Sequence, residues 1–250
     1  LTPTLQRTLR FPAVTKGEVN RSRDYRLDAS GKGVNVTRVL SQLGERVAHL
    51  THTGGRERER FLRMAAEDGL EVRWVDSKSE IRSCYTVLDE SDHSTTELVE
   101  EALPVAPGTE DALKEIYLEI LPGFHTVIIS GSKSAGYGDS IVPWMVARAK
   151  ERGARVIADY RGADLKASLH YRPEVIKPNF AEFAGTFLST GTSVESGPLS
   201  EHSTSKELEE AAWRKMRELA SDGIGVVLTR GSLPTIFAFP GGYEGSREPL

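Results

Sequence analysis

Apolar residues at 34, 36, 39, 40 and 43 recur at helical spacing through GVNVTRVLSQL (33–43), and Gly44 follows where a helix would stop. The same reading predicts helices over Arg56–Asp68, Thr109–Leu121, Ile141–Arg152 and Lys206–Ser221, with Gly69 and Gly153 closing the first and third. Between them lie short apolar runs at 46–51, Glu71–Val75, Thr126–Ser130, Arg155–Tyr160 and Gly225–Thr229, which read as strands. Val175-Ile176 leads into KPNFAEF (177–183), which opens another helix, and the Ser-, Thr- and Gly-rich stretch 190–205 reads as a loop. Strands alternating with helices predict an α/β protein with a doubly wound, mostly parallel sheet covered by helices on both faces.

Two regions break that alternation. IRSCYTVL (81–88) and STTELVEE (94–101) are β-rich and flank the polar turn DESDH, which reads as a hairpin. The polar segment Thr8–Asp28 is also strand-like. Together they predict a small sheet of their own, from about 7–28 and 80–103, attached to a single α/β domain over 1–250.

Composition narrows the function. Hydrophobic residues make up 38% of the 250, enough for a substantial core. A net charge of −4 gives no basic surplus for nucleic acid, so an anionic small molecule would need local cations. Cys84 is the single cysteine, which excludes an internal disulfide and fits a reducing compartment. No apolar run approaches a membrane span and no signal peptide is evident, so a soluble cytoplasmic protein is expected. The chain begins with Leu1 and stops at Pro249-Leu250 soon after a strand-like run, which predicts missing residues at both ends.

In a doubly wound fold the ligand site lies at the carboxyl ends of the strands. Ser130-Gly131-Ser132, Lys177-Pro178-Asn179 and Thr229-Arg230-Gly231 fall there. ASGKGVN (29–35) adds a Gly-Lys-Gly before a helix. Glycine admits a close ligand, a helix N-terminus offers N–H donors, Lys32 brings a compact charge, and Asn35 can donate and accept. A plain glycine-rich turn with an exposed lysine explains the same residues. Asn179 and Glu182 fit a capping box as well as a binding role. Cys84 lacks a His/Asn constellation and reads as a packed cysteine. The six histidines show no metal-ligand spacing, and GGRERERF (54–61) reads as a solvated helix face.

Taken together, LQRTLRF (5–11), GEVNR (17–21), ASGKGVNVTRVLSQLG (29–44), TTELVEE (95–101), SGS (130–132), KPNFAEF and VVLTRG (226–231) resemble the ribokinase-like family of sugar kinases, in its phosphofructokinase-B branch. They look most like its tagatose-6-phosphate kinase and 1-phosphofructokinase members. The resemblance runs from Leu5 to about Phe239. It implies that Gly31, Lys32, Gly33 and Asn35 meet the sugar phosphate, that Arg82 grips its phosphate, and that Glu97, Gly131 and Gln6 face the sugar. It implies that Lys177, Asn179, Glu182, Thr229 and Gly231 serve ATP, with Asn179 and Glu182 ordering the waters of Mg²⁺. It also implies that the small sheet is a lid, that such lids pair two subunits, and that the product is a ketohexose bisphosphate made from tagatose-6-phosphate or fructose-1-phosphate. Rival readings are a sugar-phosphate-binding protein without a catalytic base, and a kinase of an unphosphorylated sugar or nucleoside on the same fold.

The chain departs from the pattern twice. The family's Gly-Ala-Gly-Asp, whose aspartate acts as base, does not occur and is expected beyond Leu250; GYGD (136–139) lies upstream of KPNFAEF and reads as a loop and N-cap coincidence. Gln6 stands where relatives often carry aspartate, and Lys133, where relatives often carry Leu-Pro, reads either as an extra phosphate contact or as an exposed lysine, the second being favoured.

Overall fold

A computed structural model describes residues 1–188 and 205–248, so the loop expected at 190–205 lies outside the described residues apart from Ser205. The strands are β1 (Thr4–Phe11), β2 (Asp24–Ser30), β3 (Ala48–Thr53), β4 (Glu71–Asp76), β5 (Arg82–Asp89), β6 (Ser94–Val99), β7 (Thr126–Ser130), β8 (Arg155–Asp159), β9 (Val175–Ile176), β10 (Gly225–Arg230), β11 (Leu233–Phe239) and β12 (Tyr243–Arg247). The helices are α1 (Lys32–Gln42), α2 (Arg58–Glu67), α3 (Thr109–Ile120), α4 (Ile141–Glu151), α5 (Gly162–Ser168), α6 (Phe180–Phe187) and α7 (Lys206–Ser221). They form two compact units, Leu1–Tyr117 with Gly131–Gly138, and Leu118–Ser130 with Asp139–Leu250.

The first unit contains the expected small sheet, in the order β2-β1-β5-β6, and a separate parallel pair, β3-β4. Strands β1 and β5 pair in parallel, and the other neighbours in the small sheet are antiparallel. Alternation along the strands sends Leu5, Leu27 and Ala29 to one face. There they join Val34 of α1, Phe61 and Ala65 of α2, Leu70 and Ile81 in one apolar cluster. The stop at α1 takes the form expected of a glycine: Gly44 has a φ of +86°, its N–H donates to Ser41 O, and the next N–H, of Glu45, reaches Leu40 O.

The second unit is a six-stranded sheet in the order β12-β11-β10-β9-β8-β7, parallel from β7 to β10 and antiparallel beyond. Its core strands bury Val156, Ala158, Ile176, Val226 and Leu228 completely. Helices α4, α5, α6 and α7 neighbour one another in sequence order.

The chain pattern left α5 and β12 unread and gave β11 no bounds. Helix α5 is only seven residues long with Leu165 as its single large apolar residue, and β12 (YEGSR) carries glycine and charge at positions that weaken a strand signal, whereas β11 (LPTIFAF) is the strand-like run near the end of the chain. Strand β11 forms on the ladder with β10, and β12 on the ladder with β11. The N-cap of α4 is Ser140, not Asp139, and the Ser140 side chain makes no capping hydrogen bond.

His52 at the end of β3 is buried, and its Nδ1 lies 2.9 Å from Tyr137 Oη. Burial pushes its pKa down to about 3, and desolvation takes His49 down to about 4. Both are neutral in the folded chain. On unfolding they return to about 6.5, so below that pH the unfolded state binds more protons and stability falls as pH drops toward the folded values. The urea midpoint is therefore expected to decline as the pH is lowered from 7 toward 4.5, with a shallower slope in His52→Asn. Phe61→Ala, at a fully buried position, is expected to cost about 3–5 kcal/mol in urea unfolding.

Candidate functional site

The sequence-derived candidates fall into two groups, one in each unit. In the first unit, Gly31 is the N-cap of α1, with a φ of +116° and no side chain capping the helix. A Cβ at Gly31 would come 2.9 Å from Thr2 O, and one at Gly33 would come 2.8 Å from His49 Cε1. The protein's own backbone thus requires Gly31, while a side chain at Gly33 would force the His49 ring to move, in addition to any need for ligand approach. Between them, Lys32 is exposed and its stem runs over Gly131, where an added Cβ would sit 3.3 Å from Lys32 Cβ.

Asn35, one turn into α1, is exposed, and its Oδ1 accepts from Arg38 Nη1 at 3.0 Å. Arg38 also donates to Ala29 O at 2.7 Å and bonds Asp68 Oδ2 at 2.7 Å. This cation ties the start of α1 to the end of β2 and the end of α2, and it fixes how Asn35 stands. Its charge at a mid-helix position carried no binding signal in the sequence.

Strand register settles the rest of this group. Thr4 pairs with Arg82 across β1 and β5, Gln6 with Cys84, and Thr86 with Glu97 across β5 and β6. Paired residues share a face, so Gln6, Arg82 and Glu97 lie on one polar face of the small sheet, opposite the Leu5 cluster. Arg82 is half-buried; its Nε donates to Thr4 Oγ1 at 3.0 Å and its Nη1 to Glu100 O at 3.3 Å. Gln6 Nε2 donates to Thr86 Oγ1 at 2.7 Å, and Thr86 Oγ1 is 3.2 Å from Glu97 Oε1. Cys84 is buried on this face and burial raises its thiol pKa, against a smaller opposing effect of Arg82. That suits a packed cysteine. Lys133 is half-buried, not exposed as expected, on a loop whose Ser134 and Tyr137 are buried.

In the second unit, the carboxyl ends of the parallel strands supply the polar groups. Asp159 closes β8 and is 7% exposed. It accepts from Ser130 Oγ at the end of β7 at 2.8 Å, and Lys177 Nζ beyond β9 lies 3.4 Å from its other oxygen. Asn179 caps α6 in a full capping box: its Oδ1 accepts from Glu182 N at 2.7 Å, and its N–H donates to Glu182 Oε2 at 3.1 Å. Thr229 bridges to Asn179, which brings β10 to the same cluster. Gly231 lies outside it, exposed in the β10–β11 turn with a φ of +58°. Arg230 beside it is spent on Glu209 and on Pro234 O.

Asp159 is the residue that sequence reasoning missed. The strand-end rule that selected Ser130, Lys177 and Thr229 points equally to the last residue of RVIAD. The cluster as a whole presents a lysine, an amide, carboxylates and hydroxyls, the mixture that phosphate groups and a hydrated hard cation require. Among the described residues, no three His, Cys, Asp or Glu side chains group closely enough to hold a metal ion directly. Asn179 and Glu182 offer oxygen donors alone, which fits a magnesium ion that keeps its water shell.

Residues 5–241 match the model of the pfkB family of carbohydrate kinases. The chain is 32% identical over 228 residues to a 1-phosphofructokinase of Rhodobacter capsulatus, covering 91% of this chain and 67% of that one. Its structure superposes on Escherichia coli phosphofructokinase-2, solved with substrates and products, with a TM-score of 0.81 at 22% identity, over 100% of this chain and 77% of the other. An Arabidopsis thaliana ribokinase, solved with ribose and ATP, gives a TM-score of 0.63 at 17% identity, over 100% and 76%. These two likenesses show the ribokinase-like α/β fold. No helix of the described residues is long and apolar enough to cross a membrane. By its family match and its sequence identity, the chain belongs to the pfkB family of carbohydrate kinases, phosphotransferases that move a phosphoryl group from ATP to an alcohol.

Proposed function

We propose that this kinase phosphorylates a ketohexose phosphate, tagatose-6-phosphate or fructose-1-phosphate, to the bisphosphate. One observation carries the reading: Arg82 stands half-buried on the same sheet face as Gln6 and Glu97. A fixed guanidinium on the same face as hydrogen-bond acceptors suits a ligand that has both a phosphate and hydroxyls. An unphosphorylated sugar or nucleoside has no use for that charge.

In this reading Arg82 and Lys32 hold the phosphate already on the sugar. Gly31, Gly33 and Gly131 shape the surface around Lys32, and Asn35, Gln6 and Glu97 meet the hydroxyls. Lys177, with Asp159 beside it, neutralises charge on the phosphates of ATP, and Thr229 and Gly231 line the nucleotide side. Magnesium, when bound, screens charge on the transferring phosphoryl group; Asn179 and Glu182 would hold it through water. None of the 250 residues is assigned as the base for the attacking hydroxyl, because no Gly-Ala-Gly-Asp occurs among them. The small sheet closes over the sugar as a lid and excludes water, which limits wasteful ATP hydrolysis. Its outer strand β6, exposed at every residue, pairs two copies into a dimer.

A coupled ADP-release assay on the complete reading frame tests the reading, with Mg-ATP and a panel of tagatose-6-phosphate, fructose-1-phosphate, fructose-6-phosphate, fructose and ribose. Turnover is expected only with phosphorylated sugars. Lys32→Ala and Arg82→Ala are each expected to raise KM for the sugar phosphate about 10- to 100-fold, the worth of a lost charged hydrogen bond, with KM for ATP little changed. Binding of sugar phosphates without any turnover would replace the kinase with a binding protein. Equal turnover with fructose or ribose would remove the phosphate-gripping role of Arg82.

A further inference from the structure

Thr86 has no place in the readings above, yet it joins two of the residues that meet the sugar. Its Oγ1 lies 2.7 Å from Gln6 Nε2 and 3.2 Å from Glu97 Oε1, so one polar row crosses β1, β5 and β6. The direction of that row follows from chemistry. Glu97 is exposed, and an ionised carboxylate can only accept. The single hydroxyl proton of Thr86 must therefore go to Glu97. Toward Gln6 the hydroxyl can then only accept, so Gln6 must turn its NH₂ to Thr86. The other end of the amide, Oε1, is left for a ligand.

We infer that Thr86 is a specificity-determining positioning residue, which uses the charge of Glu97 to lock the Gln6 amide with its carbonyl oxygen toward the sugar. A free glutamine would present donor and acceptor equally. The locked one presents an acceptor, as does the second carboxylate oxygen of Glu97. The face thus selects ligands that offer hydroxyl donors at this position, and the single charge of Glu97 polarises both acceptors. This inference rests on the sugar-phosphate reading of the same face.

Calorimetric titration of the protein with fructose-1-phosphate and with tagatose-6-phosphate tests it. Thr86→Val keeps shape and strand preference but removes the hydroxyl, and is expected to weaken binding of the preferred sugar phosphate about tenfold. Thr86→Ser keeps the hydroxyl and is expected to stay within about twofold of wild type. In a Gln6→Ala background, Thr86→Val is expected to add less than about twofold, because the group it positions is gone. Affinity for ATP serves as the control and is expected to be unchanged in every variant. Wild-type binding with no loss in Thr86→Val, an equal loss in Thr86→Ser, or a full tenfold loss on top of Gln6→Ala would overturn the role of Thr86 alone. Failure of the wild type to bind either sugar phosphate would overturn the sugar-phosphate reading together with it.

Discussion

The parallel pairing of β1 with β5 is the constraint on which the polar face of the small sheet depends. It joins residues about eighty apart in the chain, Thr4 with Arg82 and Gln6 with Cys84. A slip of one residue would turn Gln6 toward the apolar cluster and Leu5 toward solvent. The register is held from the other face, where Leu5 and Ala29 pack with Phe61 and Val34. Apolar burial on one side of a thin sheet therefore fixes the position of polar groups on the other. Loop closure between such distant strands costs entropy, which the cluster beneath must offset.

The second unit solves a similar problem with charge. Asp159 is almost fully buried, and a buried carboxylate is costly unless it is bonded. Ser130 and Lys177 supply those bonds from the neighbouring strand ends. The arrangement keeps Lys177 close to the carboxylate while leaving its side chain 41% exposed, and so able to meet an anion. Removing Asp159 would release the lysine; removing the lysine would leave a buried charge. Next to this pair, the capping box shows that one set of atoms can serve two ends. Asn179 and Glu182 satisfy the first N–H groups of α6 and still stand at the strand ends where phosphates are bound in such folds.

Much of this was legible in the sequence. Helical spacing located α1, α2, α3, α4 and α7 to within a few residues, and Lys206–Ser221 at its exact bounds. Glycine stops and the hairpin turn DESDH were equally plain, because they depend on neighbours in the chain. The Gly-Lys-Gly segment was legible as a candidate site but not in what holds its glycines. Its glycines make room for the Thr2 backbone and for the His49 ring, both distant in sequence. The elements that went unread, α5 and β12, are short and weakly patterned, and for β12 the pairing with β11 supplies what its own sequence lacks.

The sequence by itself determined the α/β class, the family resemblance and the residue types able to meet a phosphate, since these follow from periodicity, composition and local motifs. Only the tertiary structure decided which of those residues share a face, which buried acid stands behind Lys177, and which end of the Gln6 amide is presented. Those depend on register between strands far apart in the chain and on the direction of hydrogen bonds, and neither leaves a local trace. A one-residue shift or a flipped amide would keep every motif intact and change the chemistry.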